Sequence, residues 1–476
     1  MHPHATDSDS ESSATAYSNT SSPTTVRKIQ FDDTPVITKL PTFPKAASFL
    51  SSPIESLFQI IKIACLNVFA KIETGSLTVV DATNKDKEEV YHFGRKDDAT
   101  RSTIRILRSA FWPRLMIYSA LGFSESFMAN EVEVEGLTNL IIIFIRNREN
   151  LAAMELLPFG LNSIFNSIIH SKIPNTIYNS LLNISAHYDL GNEMFESFLD
   201  PTMMYSCPIW EIGNEGESLE SAQYRKIHRI LELAKIRRGD SVLEVGTGWG
   251  ALSIEAVRKY DCTVVTLTLS KEQKALAEAR IAKAGLSDKI TVLLTDYRNL
   301  DPAHHQYDRI VTVEMLEAVG PEFMPVFFAQ AEKLLKKNGI LSLQVITMVD
   351  SRYIAYCKEI DFIQKYIFPG GHCPSVTSLT DAIYKGSKGK LVIDEMDNIG
   401  PHYAKALRLW REAFLENFDR IRDVTGLHHV YTQEFKRRWE YYFSYCEAGF
   451  ATRALGDVQM RLTKECNEEL VAGIPL

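Results

Sequence analysis

From residue 238 onward, short apolar runs alternate with amphipathic segments, and this alternation constrains the fold more than any other feature of the sequence. The apolar runs predict strands at 241–245, 263–267, 290–294, 309–313 and 339–345. Between them, segments such as 271–284 and 325–337 place apolar residues on one helical face. Strands that alternate with helices predict a parallel sheet with helices on both faces. The expected fold class is therefore α/β.

The composition is that of a globular protein. A chain of 476 residues predicts two or three domains. With 45% hydrophobic and 24% charged residues, a wholly disordered chain, a collagen and a coiled-coil rod are excluded. The net charge of -8 argues against a nucleic-acid partner. Seven cysteines, an odd number without a Cys-x-x-Cys pair, indicate reduced thiols, and no metal site is expected.

Four segments are predicted along the chain. Residues 1–45 form a tail that is expected to be disordered, because 12 of the first 25 residues are Ser or Thr. Residues 46–150 form a smaller N-terminal domain, with a helix at 54–72 and strands at 75–81 and 90–93. A helical linker at 151–180 leads to the main domain at 181–476. Since no apolar run approaches the length of a membrane span and no secretory signal is visible, a cytoplasmic location is expected.

Basic residues are concentrated in the N-terminal domain just after its predicted strands. Arg101, Arg105 and Arg108 fall at helical spacing, so a helix with a basic face is predicted there. One interpretation of this face is a surface for anionic phospholipid headgroups. The other is an ordinary solvated helix face, and the spacing does not decide between them.

A glycine-rich loop follows the first strand of the main domain. Gly246, Gly248 and Gly250 allow a positive φ angle and a close approach of the backbone to a ligand. The acid Glu244 precedes the loop, and the glycine spacing differs from that of dinucleotide-binding loops. A phosphate-binding P-loop is excluded because no Gly-Lys-Ser/Thr follows.

An ordered set of motifs surrounds this loop and makes the interpretation more specific. They are His-Tyr-Asp-Leu-Gly-Asn-Glu-Met-Phe at 187–195, Leu-Asp-Pro-Thr-Met-Met-Tyr-Ser-Cys at 199–207, Leu-Thr-Leu-Ser-Lys-Glu-Gln at 267–273, Asp-Tyr-Arg at 296–298, Met-Leu-Glu-Ala-Val-Gly-Pro at 315–321 and Lys-Tyr-Ile-Phe-Pro-Gly-Gly at 365–371. Together they resemble the cyclopropane-fatty-acyl-phospholipid synthase family, which includes the mycolic-acid methyltransferases. The resemblance covers about 180–465 and extends more weakly to 75–150.

This resemblance implies a Rossmann-like class I S-adenosylmethionine-dependent methyltransferase with a smaller N-terminal, lipid-associating domain. The implied reaction transfers a methyl group to the cis double bond of an unsaturated phospholipid acyl chain, after which a proton is lost and a cyclopropane ring closes. An alkene is a poor nucleophile, so it must be held in line with the methyl group. A carbocation needs negative charge and the exclusion of water. The family's proton acceptor is thought to be a bound bicarbonate. Peripheral association with a phospholipid membrane, and by analogy a homodimer, are also expected.

The resemblance assigns cofactor contacts residue by residue. Tyr205 and Ser206 match a contacting pair, the glycine loop with Glu244 matches the site of the methionine portion, and Asp296 and Tyr297 match the adenine pocket. Thr268 and Gln273 match polar groups near the ribose. The full implied set is Tyr205, Ser206, Glu244, Gly246, Gly248, Gly250, Thr268, Leu269, Gln273, Asp296, Tyr297 and Val313.

The implied catalytic residues surround the bicarbonate. Glu317 matches the catalytic carboxylate, Tyr403 a tyrosine that hydrogen-bonds the anion, and Ile346 a residue whose backbone amide faces it. Cys207 matches a cysteine beside the anion. Gln344 stands where bacterial enzymes carry a histidine ligand of bicarbonate.

Two positions depart from the bacterial pattern. Ala318 replaces a histidine, and Gln344 keeps an N–H donor but cannot become cationic. Weaker anion binding is therefore expected, and similar choices resemble the plant and fungal branch of the family. The alternatives left open are a methyl-branched lipid product, N-methylation of a small amine, and a catalytically silent protein that binds lipid or cofactor.

Overall fold

A computed structural model describes residues 53–84, 86–151, 191–471 and 474 of the chain. The predicted tail at 1–45 and nearly all of the predicted linker at 151–180 lie outside these ranges, and so do the first residues of the motif at 187–195. Within the described ranges, no helix combines the length and apolar character that crossing a bilayer requires.

The N-terminal part of the chain builds a small four-stranded sheet with helices. Its strand order is β2-β1-β3-β4, in which β1 and β3 are parallel and the other pairs are antiparallel. The helix and the two strands predicted before residue 95 are confirmed. The elements are α1 (Pro53–Phe69), β1 (Ser76–Asp81), β2 (Glu89–Gly94), β3 (Arg101–Ile106), α2 (Phe111–Met128), β4 (Val132–Glu135), α3 (Leu137–Arg146) and α4 (Arg148–Leu151).

The helix predicted around the basic residues is wrong, because residues 101–106 form strand β3. Ser102, Ile104 and Ile106 are buried, whereas the residues between them face outward. This alternation has a period of two, which is the period of a strand. Arg101 and Arg105 are four residues apart, so they share one face of the strand just as they would share one face of a helix. Arg105 forms an ion pair with Glu88.

The main domain contains a seven-stranded sheet with helices packed around it. Its elements are α5 (Asn192–Glu196), α6 (Leu219–Leu233), β5 (Ser241–Val245), α7 (Ala251–Tyr260), β6 (Thr263–Thr268), α8 (Lys271–Lys283), β7 (Ile290–Leu294), β8 (Tyr307–Val313), α9 (Met324–Leu334), β9 (Leu335–Met348), α10 (Asp350–Tyr356), α11 (Phe362–Tyr366), α12 (Val376–Ser387), β10 (Leu391–Asn398), α13 (Tyr403–Thr425), α14 (Gln433–Ala451) and β11 (Leu455–Lys464). All five predicted strands are present.

The strand order of this sheet is β10-β11-β9-β8-β5-β6-β7. Strands β5 to β9 run parallel, and β10 and β11 complete one edge in antiparallel pairing. After β5 the chain continues to β6 on one side, and it later returns to β8 on the other. A parallel sheet has a crevice at the carboxyl ends of its strands where the strand order reverses, and ligands bind there. The α/β prediction is confirmed, and the site is expected beyond β5 and β8.

Helix α14 joins the two sheets. Arg437 on α14 donates from Nη2 to the carbonyl of Val132 at 2.6 Å, and its guanidinium lies 4.1 Å from the centre of the Phe127 ring. One hydrophobic cluster runs from the N-terminal sheet through the aromatic side chains of α14. Trp439 and Phe443 on α14 are buried in this core.

Candidate active site

The glycine loop adopts the conformation that its sequence predicts. Gly246, Gly248 and Gly250 have φ angles of 103°, 50° and 86°, all in the region that favours glycine. A Cβ atom on Gly248 would meet no atom within 4 Å, so this part of the loop borders open space. A Cβ atom on Gly250 would lie 3.4 Å from Cβ of Ala277, which is an ordinary van der Waals contact, so the φ angle and not the packing against α8 favours glycine here.

A cleft opens in front of this loop, with about 1170 Å³ of empty space including its mouth. Of the twelve residues expected to bind the cofactor, only Gly250 does not line it. The cleft is also lined by residues that the sequence did not indicate, namely Met203, Met204, Trp249, Arg298 and Glu314. The structure therefore gathers residues from four separate motifs at the carboxyl end of the parallel sheet.

Polar groups are already ordered along the cleft wall. Thr268 Oγ1 donates to Gln273 Oε1 at 2.8 Å, which fixes both side chains at the end of β6. Asp296 accepts two hydrogen bonds from the Arg298 guanidinium, at 2.8 and 2.7 Å. The buried hydroxyl of Tyr297 has no hydrogen-bond partner among the described residues. An open glycine loop, paired polar side chains and an unsatisfied buried hydroxyl fit a nucleoside with an amino-acid portion, as S-adenosylmethionine has.

Glu244 is held under the glycine loop at the end of β5. Its side chain is almost fully buried and accepts hydrogen bonds from Ser253 and Thr266. Burial raises its pKa to about 7. A carboxyl group that titrates near neutral pH beside the cleft can respond to a charged ligand there.

The five predicted catalytic residues also come together, beside the cleft and not on its wall. They cluster around Glu314, the residue that follows β8. The Cys207 backbone N–H donates to Glu314 Oε1 at 2.8 Å, and Gln344 Nε2 donates to the same oxygen at 2.7 Å. Tyr403 Oη donates to Glu314 Oε2 at 2.9 Å. The resemblance did not point to Glu314, although an acid directly after a buried parallel strand is a signal that could have found it.

Glu317 occupies the neighbouring turn, Leu316–Ala318. Its Oε1 accepts from the Ile346 backbone N–H at 2.5 Å, so the amide expected to face a bicarbonate is bound to a side chain of the protein. Its Oε2 is inaccessible to solvent and has no hydrogen-bond partner among the described residues. Burial and the negative charge of Glu314 raise the pKa of Glu317 well above its usual range.

Two further charged residues, both missed at the sequence level, complete this cluster. Asp457 on β11 is fully buried and accepts from Gln344 Nε2 at 3.0 Å. Lys226 on α6 is fully buried and donates to Ser206. Burial raises the pKa of Asp457 well above its usual range and lowers the pKa of Lys226 to about 8. Both residues lie in segments with several other polar side chains, so nothing in the sequence distinguishes them from surface residues.

Aromatic side chains pack next to the cluster, where the ring of Tyr403 contacts the ring of Trp410. Tyr205 Oη lies 2.7 Å from the hydroxyl of Tyr442, and the Tyr205 ring packs against Phe198 and Trp410. Glu447 on α14 forms a buried ion pair with Arg411 on α13 at 2.6 Å. The cluster is therefore walled by aromatic rings, and this wall can exclude water from a reacting group.

Comparisons with known proteins agree with this geometry. The family model described as "Mycolic acid cyclopropane synthetase" matches residues 177–460. The tuberculostearic acid methyltransferase UfaA1 of Mycobacterium tuberculosis is 38% identical over 364 residues, which cover 74% of this chain and 81% of that protein. The cyclopropane-fatty-acyl-phospholipid synthase of Escherichia coli is 33% identical over 370 residues, which cover 75% of this chain and 86% of the synthase.

Among solved structures, the mycolic acid cyclopropane synthase CmaA1 complexed with SAH and CTAB is similar, with a TM-score of 0.53 and 31% identity. The match covers 60% of this chain and 98% of that chain. The expected Rossmann-like class I fold is confirmed. The family model, the two relatives and the cleft at the glycine loop together show that this chain belongs to the mycolic acid cyclopropane synthetase family of S-adenosylmethionine-dependent methyltransferases.

Proposed function

We propose that the protein methylates the cis double bond of an unsaturated phospholipid acyl chain, with loss of a proton and closure of a cyclopropane ring. S-adenosylmethionine supplies an electrophilic methyl group on its sulfonium. The observation that carries the proposal is the direct contact between the cofactor cleft and a buried cluster of acids, through Glu314. Negative charge that is fixed beside the cleft stabilises a carbocation that forms on the acceptor.

The protein's own side chains have three tasks in this proposal. The cleft residues orient the methyl donor, and the aromatic wall at Tyr205, Trp410 and Tyr442 holds the acyl chain away from water. The acid cluster stabilises the positive charge that develops on the alkene carbons. Because positioning alone can contribute several kcal/mol to such a reaction, a rigid wall is as important as the charged groups.

A methyl-branched lipid is the second candidate product. The 38% identical relative is named a tuberculostearic acid methyltransferase and not a cyclopropane synthase. Both products begin with the same methyl transfer to an alkene, so they differ only in the fate of the cation.

We assign the chain to the fungal and plant branch of the family on the strength of Ala318 and Gln344.

Peripheral docking on a membrane is part of the proposal, because the acyl chain must leave the bilayer to reach the site. Homodimer formation is also proposed, by analogy with the family. Helices α1 and α2 expose four large apolar side chains, which suit partial insertion among lipid headgroups: Leu57, Ile60, Ile117 and Tyr118. Cosedimentation with phospholipid vesicles tests this surface. A Leu57→Ser/Ile60→Ser variant is expected to bind vesicles less tightly while its cofactor affinity stays unchanged.

The experiment that tests the function is mass spectrometry of total lipid from cells that express the protein and receive methyl-labelled methionine. A phospholipid chain that gains one labelled CH₂ and loses its double bond supports the cyclopropane product. A labelled branched methyl group supports the second candidate. Cells carrying the empty vector are the control. Unlabelled lipids, with cofactor binding intact, would overturn the proposal in favour of a small-molecule acceptor or a silent binder.

A further inference from the structure

The anion site expected from the family resemblance is already filled by a side chain of the protein. Three donors converge on the carboxylate of Glu314: the Cys207 N–H, the Gln344 amide and the Tyr403 hydroxyl, at 2.7 to 2.9 Å. The fourth expected donor, the Ile346 N–H, is bound to Glu317. All four groups that would hold bicarbonate are therefore engaged by carboxylates that are part of the chain.

The charges around this site also argue against an added anion. Glu314, Glu317 and Asp457 are three acids in one buried cluster, and Lys226 is the buried cation beside them. Burial and the charge of Glu314 raise the pKa of Asp457 well above its usual range. Asp457 Oδ1 has no hydrogen-bond partner among the described residues. Bicarbonate would bring another negative charge to a site whose donors are occupied, so it does not fit.

Glu314 also differs from the other acids of the cluster in where it lies. It lines the cofactor cleft, whereas Glu317 and Asp457 do not. Its φ angle is +48°, in the left-handed region that non-glycine residues rarely adopt. Strained backbone of this kind persists where the surroundings hold it, and it is concentrated at functional sites.

We propose that Glu314 is the proton acceptor of the reaction and takes the place of bicarbonate. The inference rests on the proposed function. After methyl transfer, a C–H bond of the new methyl group breaks, and its electron pair forms the third bond of the ring at the cationic carbon. The proton passes to a carboxylate oxygen of Glu314. No oxidant, reductant or further reactant is needed.

The test compares wild-type protein with Glu314→Gln and Glu314→Gly, using vesicles of dioleoylphosphatidylcholine and dioleoylphosphatidylglycerol with labelled S-adenosylmethionine. Wild-type turnover is expected to be the same in degassed, bicarbonate-free buffer and in buffer with added bicarbonate. Glu314→Gln is expected to bind S-adenosylmethionine normally and to lose about 10²–10⁴-fold in turnover, the usual contribution of a general base. Glu412→Gln, at an exposed acid on α13, is the matched control and should turn over normally.

Glu314→Gly separates a lost base from a lost structural contact. Glycine accepts a φ angle of +48° without strain, so this variant should fold, and it frees the three donors. Added bicarbonate, but not sodium chloride at the same ionic strength, is expected to restore part of its turnover. Bicarbonate dependence of the wild-type protein, normal turnover of Glu314→Gln or absence of rescue in Glu314→Gly would each overturn the inference. A wild-type protein that labels no lipid would instead overturn the proposed function itself.

Discussion

The side chain of Tyr403 contacts the acid cluster without lining the cofactor cleft. Its hydroxyl donates to Glu314 Oε2 and has no equivalent in phenylalanine. Tyr403→Phe removes a hydrogen bond to a charged group, which is worth about 1.5–3 kcal/mol. Turnover is expected to fall by about 10- to 100-fold while the dissociation constant of S-adenosylmethionine stays unchanged.

Tyr384→Phe is the matched control for this substitution, because Tyr384 is exposed on α12. Turnover and cofactor affinity are measured on the same preparations. Equal turnover of Tyr403→Phe and wild type would show that the hydroxyl does not act on the reaction. A parallel loss of cofactor affinity would point to a distorted cleft instead.

Glu244 makes the stability of the protein depend on pH. Its pKa in the folded chain is about 7, raised by burial from an ordinary value of 4.5. The folded state therefore holds a proton that the unfolded state releases between these pH values, and stability falls as the pH rises through this window. At about 1.4 kcal/mol per tenfold change in proton affinity, the contribution of Glu244 is about 3 kcal/mol.

The measurement is urea unfolding of wild type and Glu244→Gln, without cofactor, at several pH values from 4.5 to 8. The stability of the variant relative to wild type should rise across this range, since the variant has no carboxyl group to ionise. Ion pairs lower the pKa of other acids, such as Asp81 and Glu125. These acids change the pH dependence of stability equally in wild type and variant. A constant difference between the two proteins would show that Glu244 does not titrate in this window.

At the level of single residues, motifs identified the cleft but only part of the acid cluster. Cofactor residues follow strands directly, so their positions in the sequence and in space are closely related. Glu314, Asp457 and Lys226 come from β8, β11 and α6, and only the tertiary fold brings them together. The environment that raises or lowers their pKa does not exist in the sequence, because it consists of burial and long-range neighbours.

At the level of elements, substitutions in the glycine loop are expected to separate two defects, a loss of stability and a loss of cofactor affinity. Gly248→Ala and Gly250→Ala both place a side chain at a positive φ angle, which costs about 1–2 kcal/mol. The φ angle of 86° at Gly250 lies beyond the left-handed range of about 50–70° that other residues adopt, whereas the φ angle of 50° at Gly248 lies at its edge. A Cβ atom at Gly248 would point into open space beside the cleft. Gly250→Ala should therefore lose more stability, and Gly248→Ala should lose more cofactor affinity.

These two variants serve as controls for each other. Thermal unfolding without cofactor and titration with S-adenosylmethionine give the two quantities. The reverse order, with the greater loss of affinity in Gly250→Ala, would show that the loop contacts the ligand through its last glycine.

The prediction at 101–108 shows why spacing alone misled at this level. Residues that are four positions apart lie on the same face of a helix and also of a strand. The spacing of the arginines therefore could not show which of the two elements is present. The side chains between them could, because Ser102, Ile104 and Ile106 alternate with exposed positions. The strands of the main domain were predicted correctly because central parallel strands are apolar along their whole length and stand out from the amphipathic helices.

At the level of the whole molecule, a buried ion pair is one of the contacts by which helix α14 ties the N-terminal sheet to the main domain. Arg411 on α13 donates from Nη1 to Glu447 on α14 at 2.6 Å and also bonds Thr138 on α3. Thr138 in turn donates to Glu447 at 2.9 Å. Sequence motifs do not indicate this contact, since its members are up to 309 residues apart.

Arg411→Met is expected to lower the free energy of unfolding by about 3–5 kcal/mol, because it leaves the Glu447 carboxylate buried without a counter-charge. The double variant Arg411→Met/Glu447→Leu should recover much of this loss, since it removes the buried charge itself. Lys385→Met, which breaks an exposed pair with Asp381 on α12, should change stability by less than about 1 kcal/mol. Urea unfolding measures all three. Hydrogen exchange then locates the defect: faster exchange of α3 and β4 amides in Arg411→Met places it at the junction of the two sheets, whereas uniform acceleration would mean that the ion pair stabilises the fold without joining its parts.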